Sequence, residues 1–131
     1  KGLNQREWIY VGDHCEALFK LFLKGKNGEN YNVGSGINLK NIHLVKKILS
    51  IAKRLKIIVN KKSKITFVKD RPGHDFRYAL NCKKIKKEIK WKVKKNIDEG
   101  LFYTIKWYCE NKHFLNKASK KQLSKRLGLN I

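Results

Sequence analysis

The chain has 131 residues, 41% of them apolar and 11% aromatic, with 32 Lys and Arg against 10 Asp and Glu for a formal net charge of +22 at pH 7. That length suits one domain with a real hydrophobic core, and the apolar share excludes a wholly disordered tail. No run approaches the roughly 18 consecutive apolar residues of a membrane-spanning helix, and residues 1–6 lack the apolar centre of a signal peptide.

Residues 8–11, Trp-Ile-Tyr-Val, read as a short strand of aromatic and β-branched residues. Gly12 breaks it, and Asp13 followed by Glu16 has the spacing of an N-cap and its capping-box partner. A helix is expected to run to about Lys24, with Cys15, Leu18, Phe19, Phe22 and Leu23 at helical spacing. Residues 31–33 read as a second strand, closing in Gly34-Ser35-Gly36. That Gly-x-Gly lacks a third glycine and a following βαβ unit, so it reads as a turn and not as a dinucleotide fingerprint. A second helix covers about 41–56, with Ile42, Val45, Ile48, Leu49, Ala52 and Leu55 on one face.

After a basic connection, residues 65–68 alternate as a third strand and lead into Asp70-Arg71-Pro72-Gly73-His74-Asp75. Asn81 is expected to cap a short helix over 82–89 with Ile85 and Ile89 inward. Asn96 and Glu99 have capping-box spacing and open a longer helix to about Lys112, its apolar face formed by Ile97, Leu101, Ile105 and Tyr108. The order of elements predicts a small mixed α/β unit over 1–115, followed by a basic tail over 116–131.

The charge invites a nucleic-acid partner, but 27 of the 32 cations are Lys and only five are Arg, whereas groove readers lean on Arg. Lys, Asn and Ile are abundant together, as in a composition drifted with AT-rich codons. Nucleic acid is therefore not the expected partner, although so strong a field attracts polyanions. Cys15, Cys82 and Cys109 form no Cys-x-x-Cys pair, which argues against disulfides or zinc and fits a reducing cytoplasm. Each is expected as a buried or half-buried small residue rather than a nucleophile. The chain holds no Met, position 1 included, so its natural start is expected upstream, with functional parts missing.

The 70–75 run carries the chemistry. Pro72 fixes its own φ and Gly73 admits angles closed to other residues. Around them stand Arg71, Arg77, His74 and two aspartates, and guanidinium presents a planar donor fork to phosphate or carboxylate oxygens. With Arg6 and the Asn32 amide, this is an anion-binding set that fits a phosphorylated or nucleotide ligand. The same turn also reads as solvated surface with one Arg–Asp pair, and spacing leaves both readings open. His14, His43 and His113 have no partner at metal spacing, and no nucleophile elbow or phosphate loop is present.

Three segments, in order, resemble dTDP-glucose 4,6-dehydratases of the extended short-chain dehydrogenase/reductase group. Arg6-Glu7-Trp8-Ile9-Tyr10-Val11-Gly12-Asp13-His14 is similar to their Arg-Asp-Trp-Leu-Tyr-Val-x-Asp-His. Gly28-Glu29-Asn30-Tyr31-Asn32-Val33-Gly34 resembles Gly-Glu-x-Tyr-Asn-Ile-Gly, and residues 70–79 resemble Asp-Arg-Pro-Gly-His-Asp-x-Arg-Tyr-Ala. Ile89-Lys90-Trp91, Trp107-Tyr108 and Arg126-Leu127-Gly128-Leu129 extend the likeness over nearly the whole chain.

The resemblance implies the smaller, nucleotide-sugar-binding C-terminal domain, with the NAD-binding Rossmann domain absent. In such enzymes NAD oxidises the sugar at C4, water leaves across C5 and C6, and hydride returns to C6. It further implies that Arg6 contacts the diphosphate and Asn32 the nucleotide portion. Asp70, Arg71, Pro72, Gly73 and His74 would line the pocket for dTDP-glucose or a related nucleotide sugar. A homodimer is implied for the whole enzyme, with contacts largely in the absent domain. The glycine-rich fingerprint and the Thr-Asp-Glu segment have no counterpart, and Gln122 stands where a Tyr often precedes the closing motif. The piece is expected to bind but to be inert alone. The competing reading is a basic, non-catalytic module for nucleic acid or another polyanion.

Overall fold

The computed structural model describes residues 2–60, 63–70 and 72–116. In chain order it contains β1 (Gln5–Glu7), α1 (Val11–Lys24), β2 (Asn38–Lys40), α2 (Asn41–Arg54), α3 (Lys83–Glu88), α4 (Ile97–Glu110) and α5 (Lys112–Asn116). The expected mixed α/β unit is present. Among the described residues no helix is long and apolar enough to cross a membrane.

The strands sit where long-range pairing places them rather than where residue type suggests. β1 pairs antiparallel with β2, Gln5 opposite Lys40 and Glu7 opposite Asn38. Its other edge is taken by the chain after the 70–75 turn: Gln5 N donates to Phe76 O at 2.7 Å and Tyr78 N to Gln5 O at 3.2 Å. Hence the expected strand over 8–11 is not one. The Tyr10 carbonyl already accepts from His14 N at 3.1 Å, so Val11 is helical and Tyr10 is the N-cap. The expected strands over 31–33 and 65–68 join no ladder among the described residues, since the place beside β1 belongs to 76–78.

Asp13 does not cap α1. It lies within the first turn, only 4% exposed, and its carboxylate accepts from Lys94 N at 3.3 Å and Lys95 N at 3.0 Å. A tertiary task has displaced the local one, tying α1 to the chain that enters α4. Glu16, freed from capping, pairs with Lys94 at 2.6 Å and Lys20 at 3.1 Å, and these ammonium donors hold its carboxyl below the usual range.

The core is built from Ala17, Cys82, Ile85, Ile89 and Trp91, with Ile9, Leu21, Tyr31, Val33 and Val93 packed around it. Ile85 and Ile89 point inward as expected; the N-cap of α3 is Cys82 rather than the expected Asn81, whose Oδ1 still accepts from Lys83 N at 3.1 Å. The α4 capping box is also as read: Glu99 N donates to Asn96 Oδ1 at 3.0 Å, and Asn96 N to Glu99 Oε2 at 2.9 Å. On α2 the buried residues are Leu44, Ile51 and Ala52, whereas Val45 and Leu49 are exposed, because the face that meets β2 and α4 is turned from the expected stripe. The expected stripe of α1 is also exposed, with Phe22 at 85%; Ala17 and Leu21 supply its inward contacts instead.

Removing the Asp13 carboxylate leaves two backbone donors without their acceptor in a buried position. Asp13→Ala is expected to cost about 2 kcal/mol, and Asp13→Asn, which keeps one acceptor oxygen, less, read from urea unfolding midpoints at constant m.

Candidate functional site

Successive side chains of a strand point to opposite faces, so β1 sends Arg6 to one side and Gln5 and Glu7 to the other. On its side Arg6 meets the 70–75 turn, folded back by Pro72 and by Gly73, whose φ of +67° only glycine adopts at little cost. Arg6 Nη2 lies 2.6 Å from His74 Nε2 and donates to Asp75 O at 3.0 Å, while Nη1 donates to Gln5 O at 2.7 Å. The guanidinium carbon stands 4.5 Å from the centre of the Tyr78 ring, a cation–π stack. His74 Nδ1 is 2.5 Å from Asp70 Oδ1, and Asn4 Nδ2 donates to Asp70 Oδ2 at 3.0 Å. The Tyr78 hydroxyl donates to the Asp75 carboxylate.

Arginine can only donate, so the lone pair of His74 must be at Nε2 and its proton at Nδ1, where it is donated to Asp70. Asp70 orients His74, and His74 orients Arg6. Among the described residues the partners of Arg6 are neutral: two carbonyls, one imidazole nitrogen and one phenol ring. Among the described residues no carboxylate pairs with it directly. Both Nη2 protons are engaged, which leaves the Nε proton and one Nη1 proton on a rigidly held cation. An anion is the natural complement.

The predicted residues do not form one cluster. Arg6, Asp70 and His74 touch one another in sequence, with Pro72 and Gly73 forming the exposed turn between them. Arg71 lies outside the described residues. Asn32 is exposed and stands apart from this group, its Nδ2 donating to Asn81 O at 3.3 Å. Sequence reasoning left Asn4, Asp75, Tyr78 and Glu7 out of the site. Asp75 and Tyr78 belong to the motif already singled out, whereas Asn4 carries no local signal.

Glu7 lies beside both groups. Its Oε1 accepts from Gly36 N at 2.6 Å and its Oε2 from Leu80 N at 2.9 Å. The Gly34-Ser35-Gly36 segment is thus a turn held by a carboxylate, leading into β2 and not into a helix. It offers no cradle for a dinucleotide phosphate. Cys82 is buried beneath it, and burial first, then the nearby Glu7 charge, push its thiol above the ordinary range. Cys15 and Cys109 are exposed, against expectation. Among the described residues no group of His, Cys, Asp and Glu could hold a metal ion.

The model of the family described as GDP-mannose 4,6 dehydratase matches residues 1–104. The chain belongs to this family. As a member of the GDP-mannose 4,6 dehydratase family it is 42% identical over 130 residues to a probable dTDP-glucose 4,6-dehydratase of Sinorhizobium fredii, covering 98% of this chain and 37% of that protein. It is 40% identical over 122 residues to dTDP-glucose 4,6-dehydratase 1 of Escherichia coli K12, covering 90% of this chain and 33% of the relative. Among solved structures, the dTDP-glucose 4,6-dehydratase of Bacillus anthracis in complex with NAD superposes with a TM-score of 0.74 at 37% identity, over 87% of this chain and 34% of that one. The Streptomyces venezuelae dTDP-glucose 4,6-dehydratase with NAD and TYD bound gives 0.75 at 33% identity, again over 87% and 34%. This member of the family therefore spans about a third of the length of the relatives it matches.

The Glu7 contact also explains Gly34. A Cβ there would fall 2.2 Å from Glu7 Oε1, 2.9 Å from its Cδ and 3.3 Å from the buried Cys82 sulfur. The carboxylate could yield only by leaving its two amides. Gly34→Ala is expected to cost about 2–3 kcal/mol in urea unfolding and to speed hydrogen exchange at Leu80 N–H.

Proposed function

We propose that this chain is the nucleotide-sugar-binding part of a dTDP-glucose 4,6-dehydratase, an NAD-dependent hydro-lyase that turns dTDP-glucose into its 4-keto-6-deoxy product. Arg6 meets the diphosphate. Asn32 meets the nucleotide portion. Asp70, Arg71, Pro72, Gly73 and His74 form the wall beside the diphosphate, and the whole enzyme is a homodimer. The observation that carries this reading is the Arg6 guanidinium, fixed by neutral acceptors and an aromatic ring and paired directly with no carboxylate among the described residues. A diphosphate supplies the missing charge, and two parallel N–H···O bonds supply direction. The substrate class follows that of the similar dTDP-glucose 4,6-dehydratases.

Bound NAD supplies hydride acceptance and return in such a reaction. The described residues do not fit it: the one Gly-x-Gly is occupied by Glu7 and precedes a strand. What these residues do is hold a diphosphate against Arg6 and keep that arginine in one rotamer through His74 and Tyr78. The Asp70 carboxylate acts at one remove, by fixing the His74 tautomer. In this reading the described residues bind and orient the nucleotide sugar and supply no acid or base for the dehydration.

The test is a calorimetric titration of the full chain as encoded with thymidine diphosphate. Arg6→Ala is expected to weaken binding about tenfold or more, and Arg6→Lys nearly as much, because an ammonium keeps the charge but loses the fork. Binding of thymidine diphosphate that ignores both changes would overturn the reading. Salt-sensitive binding of duplex DNA in its place would favour the basic polyanion module.

A further inference from the structure

We infer that Glu7 is a positioning residue for this site, a bracket that fixes the distance between the Asn32 loop and the Arg6 cluster; the inference rests on the nucleotide-sugar reading above. Glu7 ends β1 one step after Arg6 and faces the other way. β1 has two flanks, and Glu7 reaches both. On the β2 flank its Oε1 holds Gly36 N at 2.6 Å, two residues before Asn38. On the other flank its Oε2 holds Leu80 N at 2.9 Å, two residues after Tyr78, the ring that stacks on Arg6.

These two anchor points lead to Asn32 from both directions. Gly36 continues back through Gly34 to Asn32, and Leu80 continues forward to Asn81, whose carbonyl receives Asn32 Nδ2 at 3.3 Å. A closed ring results: Glu7 to Gly36, along the chain to Asn32, across to Asn81, back to Leu80 and to Glu7. Gly34 is the residue against which the carboxylate lies, and its missing side chain is the space that Glu7 Oε1 uses.

Without the bracket, the Asn32 loop is held to the 80–82 chain by one exposed 3.3 Å bond and by the Gly34 backbone against the Cys82 thiol, neither of which ties it to the strand of Arg6. The two groups must meet different parts of one ligand, so their separation sets affinity. A carboxylate suits the task because both its oxygens accept and both targets are N–H donors. An amide would present N–H to one of them and repel it. Asp keeps both acceptor oxygens on a chain one methylene shorter, so it separates acceptor chemistry from reach.

The experiment uses the full chain as encoded, thymidine diphosphate as probe, and a temperature well below each variant's unfolding midpoint, so that only folded protein is titrated. Glu7→Gln is expected to weaken binding about tenfold while hydrogen exchange speeds up at Gly36 and Leu80. Glu7→Asp is expected to recover most of the affinity; it also serves as the working comparison if Glu7→Gln does not fold. Affinity within twofold of the unmodified chain, with Gly36 and Leu80 exchanging faster, would reduce Glu7 to a structural tie and overturn the inference. Unchanged exchange at both amides would overturn the bracket itself. Arg6→Ala, titrated alongside, separates the two failures: if it binds as well as the unmodified chain, the nucleotide reading falls; if it alone loses affinity, only the Glu7 inference does.

Discussion

Ten acidic side chains share this molecule with 32 Lys and Arg, and each of the ten is already engaged. Glu7, Asp13 and Glu99 accept backbone N–H groups, Asp70 holds His74, and Asp75 takes the Tyr78 hydroxyl. Glu16, Glu29, Asp98 and Glu110 pair with lysines, and Glu88 takes the Tyr31 hydroxyl. None is assigned to Arg6. In a chain so rich in cations this would mean little for a surface lysine in water. Arg6 differs because it is half-buried, gripped at three points and stacked on a ring. Holding such a charge in place without a counter-ion costs desolvation and side-chain entropy, and the cost is offset when an anion arrives.

The site depends on a strand of three residues. β1 contributes Arg6 to one face and Glu7 to the other, and its backbone fixes β2 on one edge and residues 76–78 on the other. The anion donor, the ring that stacks on it and the carboxylate that ties the neighbouring loop thus descend from one short ladder. Exposed ion pairs elsewhere contribute little to this arrangement, about 0–1 kcal/mol each. What positions the chemistry is backbone pairing plus a few charge-assisted hydrogen bonds.

Features set by local chemistry were legible in the sequence. Asn96 and Glu99 cap α4 as their spacing dictates, and Ile85 and Ile89 face inward from α3. Features set by distant partners were not. Trp8 to Val11 has strand residues, yet the ladder lies three residues earlier because Lys40 and Phe76 determine where β1 pairs. Asp13 has the spacing of a cap, yet the Lys94 and Lys95 amides claim it. The α1 stripe of Leu18, Phe19, Phe22 and Leu23 was read as core and is exposed, since periodicity reports that a face is apolar and not what covers it. For the candidate site, residue types marked Arg6 and His74 as anion chemistry, and the resemblance added Asp70, but the contact of Arg6 with His74 joins residues 68 apart and rests on strand pairing. Glu7 drew no notice because a lone acid at a strand end has no signature until both of its amide partners are located.

We propose that Arg6, held by His74 and Tyr78, is the receptor for a nucleotide diphosphate. The most direct measurement is a crystal structure of the full chain as encoded with thymidine diphosphate. The account predicts a phosphate oxygen within hydrogen-bond distance of the Arg6 Nε or Nη1 proton, with the His74–Asp70 bond retained. A diphosphate found only against surface lysines, with Arg6 untouched, would contradict it.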